Sequence, residues 1–107
     1  FESRAAEQNH ALAQHQLGLM FAAGKGLPRS DEAAVALWRA AAEAGLAAAQ
    51  VDLAKCYAYG QRSVAEDRAQ AQHWFALAEA QGHAEAGIEL RHLHWLDALE
   101  ADERTRA

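Results

Sequence analysis

Leu17-Gly18-Leu19-Met20-Phe21-Ala22-Ala23-Gly24 returns 36 residues later as Leu53-Ala54-Lys55-Cys56-Tyr57-Ala58-Tyr59-Gly60. A leucine, a small residue, an aromatic and a glycine keep their places, and this return decides the fold. Beyond Gly60 the separation becomes 37 residues, pairing Leu27 with Val64, Ala34 with Ala71, Trp38 with Phe75 and Gly45 with Gly82. The added residue falls between Gly60 and Val64, in a loop, where repeat arrays absorb insertions best. A third, partial copy follows, with Ala86, Ile88 and Leu90 in the places of Ala49, Val51 and Leu53. Upstream, Ala5-Ala6-Glu7-Gln8-Asn9 matches Ala41-Ala42-Glu43-Ala44-Gly45, which puts Phe1 where Leu37 and Trp74 fall. The chain is therefore expected to open inside the second helix of a preceding repeat and to turn at Asn9.

Each copy reads as two helices. Ala13, Leu17, Met20 and Phe21 recur as Ala49, Leu53, Cys56 and Tyr57, at i, i+4, i+7 and i+8. That spacing gathers one apolar stripe on one helix face. The second helix carries Ala34, Leu37, Trp38 and Ala41, then Ala71, Trp74, Phe75 and Ala78, again as one stripe. Gly24-Lys25-Gly26-Leu27-Pro28 ends a helix, because glycine accepts a left-handed backbone and proline cannot extend the hydrogen-bond ladder. Ser30 can cap the next helix, with Asp31 and Glu32 at its positive end. Asn9, Gly45 and Gly82 mark the short turns that force antiparallel neighbours. One repeat domain over 1–107 follows: 1–8 the end of a preceding helix, 10–45 and 46–82 two repeats, 83–101 a terminal capping helix and 102–107 a fraying tail. Arg91 and His94 stand in that last helix where a small residue and an aromatic are expected, hence its reading as a cap.

Composition supports a folded chain and excludes several function classes. Hydrophobic residues make up 51% of 107 residues, with one proline. That suits one all-α domain, since alanine dominates the apolar fraction and favours close helix contact. The net charge of −5 gives no electrostatic basis for holding nucleic acid or an anionic membrane. Cys56 is the lone cysteine, so no intrachain disulfide forms. No apolar run is long enough to span a bilayer. The chain does not begin with Met and reads as a piece of a longer protein, which leaves its compartment open.

These residues resemble the Sel-one-like repeat family, a relative of the tetratricopeptide repeat with a longer loop between helices. The first copy carries the family pattern at Ala11, Ala13, Leu17-Gly18, Phe21, Gly24, Gly26-Leu27, Ala34, Leu37-Trp38, Ala41-Ala42-Glu43 and Gly45. The second carries it at Ala49, Leu53-Ala54, Tyr57, Gly60, Val64, Asp67, Ala71, Trp74-Phe75, Ala78 and Gly82. The departures are Ala54 and Arg91 for the glycine after leucine, Leu37 for the first tryptophan, and Arg62-Ser63 in the second loop. The resemblance implies a right-handed α/α solenoid whose concave face binds proteins or peptides. The lone Cys56 sets the chain apart from the family's disulfide-stapled branch.

No constellation for catalysis stands out. His92 and His94 project from different sides of a helix, and His10 and His15 are five residues apart, so neither pair suits one ion. Gly24-Lys25-Gly26 lacks the spacing, the Ser/Thr and the strand of a phosphate loop. Cys56 lies on the apolar stripe and reads as core filler. No nucleophile, base and orienter set is visible, so no enzyme, cofactor or metal is expected. Off the core stripe, the first helices present a ladder at i, i+4, i+7 and i+11. It runs through Leu12, Gln16, Leu19 and Ala23, then Ala48, Asp52, Lys55 and Tyr59, then Glu85, Glu89 and His92. The expected function is a scaffold or adaptor docking a protein or peptide there, with Asp52 and Glu89 favouring a basic segment. The alternative is self-association through apolar solenoid ends at Phe1 or near Trp95, giving a homodimer.

Overall fold

Alanine-rich segments bounded by glycine turns give five α-helices in the computed structural model, which describes residues 2–106, with side chains from Gln8 to Arg106. They are α1 (Glu2–Ala23), α2 (Asp31–Glu43), α3 (Ala47–Tyr59), α4 (Arg68–Ala80) and α5 (Ala84–Arg106). The chain forms an α/α solenoid with no strand among the described residues. First helices α1, α3 and α5 make one layer, and second helices α2 and α4 make the other. Each helix packs on its chain neighbour, α1 on α2 through α4 on α5.

The two copies build their loops alike. Ser30 caps α2, its Oγ accepting from Ala33 N at 3.1 Å, and Asp67 caps α4, its carboxylate accepting from Gln70 N at 3.2 Å. Each loop then returns to the preceding helix, Ser30 N donating to Phe21 O at 3.0 Å and Asp67 N to Tyr57 O at 2.8 Å. Gly60 ends α3 at φ 61°, where a Cβ would crowd Glu66 N at 3.3 Å. The residue added to the second loop is accommodated by Arg62 and Ser63, both at positive φ (54° and 66°). The short turns close in a Schellman pattern, Leu46 N reaching Ala41 O at 3.1 Å and His83 N reaching Ala78 O at 3.2 Å.

The core follows the repeat register. Ala34, Trp38, Ala41, Leu53, Cys56, Ala71, Trp74, Phe75, Ala78 and Leu93 are buried, while Leu37 and Tyr57 are half-buried. Burial, opposed by nearby Arg62, pushes the Cys56 thiol above its usual range, as suits a filler. Gln50 is the buried polar residue of the turn region. Its Nε2 donates to Ala42 O at 3.1 Å, and its Oε1 accepts from Gln81 Nε2 at 3.0 Å. Gln50→Leu is expected to destabilise the domain by about 0.5–1.5 kcal/mol, because the side-chain bonds to Ala42 O and from Gln81 are lost while Ala42 O keeps the Gly45 N donor at 3.0 Å. A denaturant titration reads this, and an unchanged midpoint would refute it.

Three expectations are corrected. The turn at Asn9 does not form, and α1 runs unbroken through it. Where the chain does turn, Gly45 and Gly82 stand at φ 101° and 89°, a conformation that costs an L side chain free energy. Asn9 keeps to the helix, flanked by Gln8 and His10. Phe1, the other mark of a preceding repeat, lies outside the described residues. The fraying tail is helical instead. α5 continues to Arg106, with Thr105 Oγ1 donating to Ala101 O at 2.8 Å and Arg106 paired to Asp102 at 3.4 Å.

The third correction concerns burial. Leu17 is 39% exposed, whereas its repeat equivalent Leu53 is 0% exposed. Ala13 and Met20 are exposed with Leu17, and Phe21 is half-buried. α2 covers this face of α3 and α4 covers it on α5, but no described helix covers it on α1. On the opposite face, His15 and Val51 are 9% and 3% exposed, whereas their counterpart Ile88 is 60% exposed. α2 and α4 cover that face of α1 and α3, but no described helix covers it on α5.

Candidate protein-binding face

All the ladder residues lie on the first helices. Leu12, Gln16 and Leu19 are exposed on α1. Tyr59 is exposed on α3, with Asp52 and Lys55 half-buried, and Glu85 and His92 are exposed on α5, with Glu89 half-buried. Three polar contacts tie consecutive first helices. The Asp52 carboxylate meets His15 Nε2 at 2.6 Å, joining α1 to α3. Lys55 pairs with Glu85, and the Tyr59 hydroxyl donates to Glu89 Oε2 at 2.7 Å, joining α3 to α5. Leu12, Gln16 and Leu19 belong to no such pair among the described contacts. At the Leu12 end the face opens into a cleft of about 390 Å³, lined also by Gln8, Asn9, Leu46 and Gln81.

The electrostatics follow from these pairs. Lys55 is raised and Glu85 is lowered from their ordinary values, each chiefly by the hydrogen bond between them. Glu85 is exposed, so this pair orients the two side chains more than it stabilises the fold. The bond to Glu89, then burial, pushes the Tyr59 hydroxyl from 10.0 to about 12. A raised pKa means that the contribution is present below pH 10.0 and is lost as pH rises towards about 12. In a Tyr57→Phe background, Tyr59 is the one remaining tyrosine. Its ultraviolet titration should then show a midpoint near 12 that returns towards 10 in Glu89→Gln. A midpoint near 10 in the folded parent would mean that the bond is not formed.

His15 is the participant that sequence reasoning missed. It reads as a surface histidine, yet it is buried, holds Asp52, and receives Trp38 Nε1 on its backbone oxygen at 3.3 Å. The signal was present in the register, because His15 falls where Val51 falls in the next copy. Asp52 and Glu89, expected to favour a basic segment, are held by His15 and Tyr59. Among the described residues no group of three or more His, Cys, Asp or Glu gathers as a metal site, and no helix is long and apolar enough to cross a membrane.

Two layers of antiparallel helices, repeated at 36 and 37 residues, define a helical-repeat protein of the α/α solenoid class. The Sel1 repeat family model matches residues 11–46 and 47–83, and the chain belongs to that family. It is similar to a Sel1 repeat protein from Oxalobacter formigenes, 36% identical with a TM-score of 0.73, covering 77% of this chain and 61% of that one. It is also similar to c5321, a protective antigen of uropathogenic Escherichia coli strains displaying an SLR fold. That match is 32% identical with a TM-score of 0.75 and covers 87% of this chain and 20% of that one. The chain thus spans about three fifths of the first structure and one fifth of the second. A search of curated proteins yields no match. Sel1 repeats generally serve as protein–protein interaction modules.

Proposed function

We propose that this domain is a scaffold or adaptor that docks a protein or peptide across α1, α3 and α5, on the side expected to be concave. One observation carries the reading. Exposed Leu12, Leu19 and Tyr59 lie on the same face as polar rungs already tied together by His15–Asp52, Lys55–Glu85 and Tyr59–Glu89. Apolar groups on a preorganised polar frame provide anchors without a large ordering cost on binding. Asp52 and Glu89 are each engaged through one carboxylate oxygen, Oδ2 and Oε2, so the other can meet a basic group, and the segment that fits best is apolar with basic flanks. Its association should weaken with added salt.

The test compares the parent with Asp52→Lys/Tyr59→Ala/Glu89→Lys for capture from a lysate, read by mass spectrometry. Far-ultraviolet circular dichroism confirms that the variant folds. A control carries Glu32→Lys/Ala36→Asp on the exposed side of α2. A protein retained by parent and control but lost by the folded triple variant supports the reading. Equal capture by all three would move the binding surface elsewhere.

A further inference from the structure

The outward face of α5 has the composition of an interface. Ile88, Trp95 and Leu99 are exposed at i, i+7 and i+11, one stripe along the helix. Arg91 flanks the stripe on one side together with Asp102, and His92 flanks it on the other together with Glu103. The Arg91 side chain is 70% exposed, and its only charged contact among the described residues is Glu79 at 3.9 Å. No described helix covers this face. Single exposed apolar residues need no explanation, but an ordered stripe containing a tryptophan does.

The register argues against a further second helix seated as α2 and α4 are. Gly18 and Ala54 hold the place of Arg91 in the first two copies, and both are buried against the partner helix of their repeat. At Gly18 even a Cβ would lie 2.6 Å from Trp38 Nε1. A helix placed on α5 in that manner would meet the whole Arg91 side chain and bury its charge without a partner. The open face of α1 around Leu17 and Met20 is no better match, because residues 8–23 contain no carboxylate.

A second α5 does supply what Arg91 lacks. We propose that α5 pairs antiparallel with α5 of a second copy, about a two-fold axis at the level of Asp97. In an antiparallel pair, residues on one flank meet residues on the same flank of the partner. Arg91 then faces Asp102 of the second copy, His92 faces Glu103, and Trp95 lies over Leu99, each contact made twice by symmetry. Asp102 exchanges its exposed contact with Arg106 for an interchain one. The partner is this same chain, and the inference is independent of the reading of the α1, α3 and α5 ladder. A single helix per copy makes a small interface, so the dimer should be concentration-dependent.

Sedimentation equilibrium from about 1 µM to about 1 mM measures it. The parent is expected to pass from monomer to dimer across that range. Arg91→Glu sets a second carboxylate against Asp102 of the other copy, and Asp102→Arg sets two guanidinium groups together. Each should weaken association by about tenfold or more. The double variant Arg91→Glu/Asp102→Arg restores opposite charges and should recover association to within about threefold of the parent. Trp95→Ala should leave a folded monomer. These residues are exposed, so circular dichroism should show all four variants folded. A parent that remains monomeric throughout would overturn the proposal. So would a dimer indifferent to Arg91→Glu, a double variant with no recovery, or a dimer abolished by Leu17→Gln/Met20→Gln instead.

Discussion

Trp38→Ala is expected to lower stability by about 3–5 kcal/mol. Trp38 is buried between α1 and α2, and its indole N–H donates to His15 O at 3.3 Å. The Arg62 guanidinium, from the loop of the second repeat, lies 5.5 Å from its ring centre and is held by Asp31 at 3.1 Å. Truncation therefore removes a large apolar volume, strips a buried carbonyl of its side-chain donor, and leaves Arg62 without its ring. A domain of this size has about 5–15 kcal/mol in total, so the variant should melt far below the parent or not fold at 37 °C. Trp38→Phe keeps most of the volume and imitates Phe75 in the next copy, so it should cost about 1 kcal/mol. Urea titrations of both variants decide the matter. A Trp38→Ala midpoint within error of the parent would refute the assignment of this ring to the core between α1 and α2.

Gly18→Ala should destabilise by about 1–3 kcal/mol, although alanine is the better helix former by about 1 kcal/mol. An ideal Cβ on Gly18 would lie 2.6 Å from Trp38 Nε1, 2.8 Å from Trp38 Cδ1 and 3.2 Å from Ala34 O. The indole is pinned by its hydrogen bond, and the carbonyl belongs to the backbone of α2, so neither yields cheaply. The second repeat shows the alternative solution, since Ala54 stands where Gly18 does and Phe75 where Trp38 does. The smaller ring leaves room for the methyl group. In a Trp38→Phe background, Gly18→Ala should therefore become neutral or stabilising, a coupling of about 1–3 kcal/mol between the two sites. Equal effects of Gly18→Ala in both backgrounds would show that the two positions do not meet.

The paired helices were legible because their signals are local. Ser30 and Asp67 cap by reaching three residues along the chain, and Gly60 turns because its own backbone does. The ladder was legible as positions, because i, i+4, i+7 and i+11 share a face whatever lies opposite. Its bonding was not. His15 and Asp52 are 37 residues apart, and no period of either helix states that they touch. Nor does a single-helix pattern say that Tyr59 reaches Glu89, which depends on the distance between α3 and α5.

The sequence by itself determined a two-helix unit, its repetition, and the single stripe each helix turns towards a neighbour. The tertiary structure alone decided which copies of that stripe are covered. Leu17 and Leu53 have the same residue type and the same register, yet one is exposed and the other buried, because α2 lies against α3 where no described helix lies against α1. Ile88 differs from Val51 for the same reason at α5. Helix formation depends on residues within a few positions, whereas burial depends on which helices stand alongside.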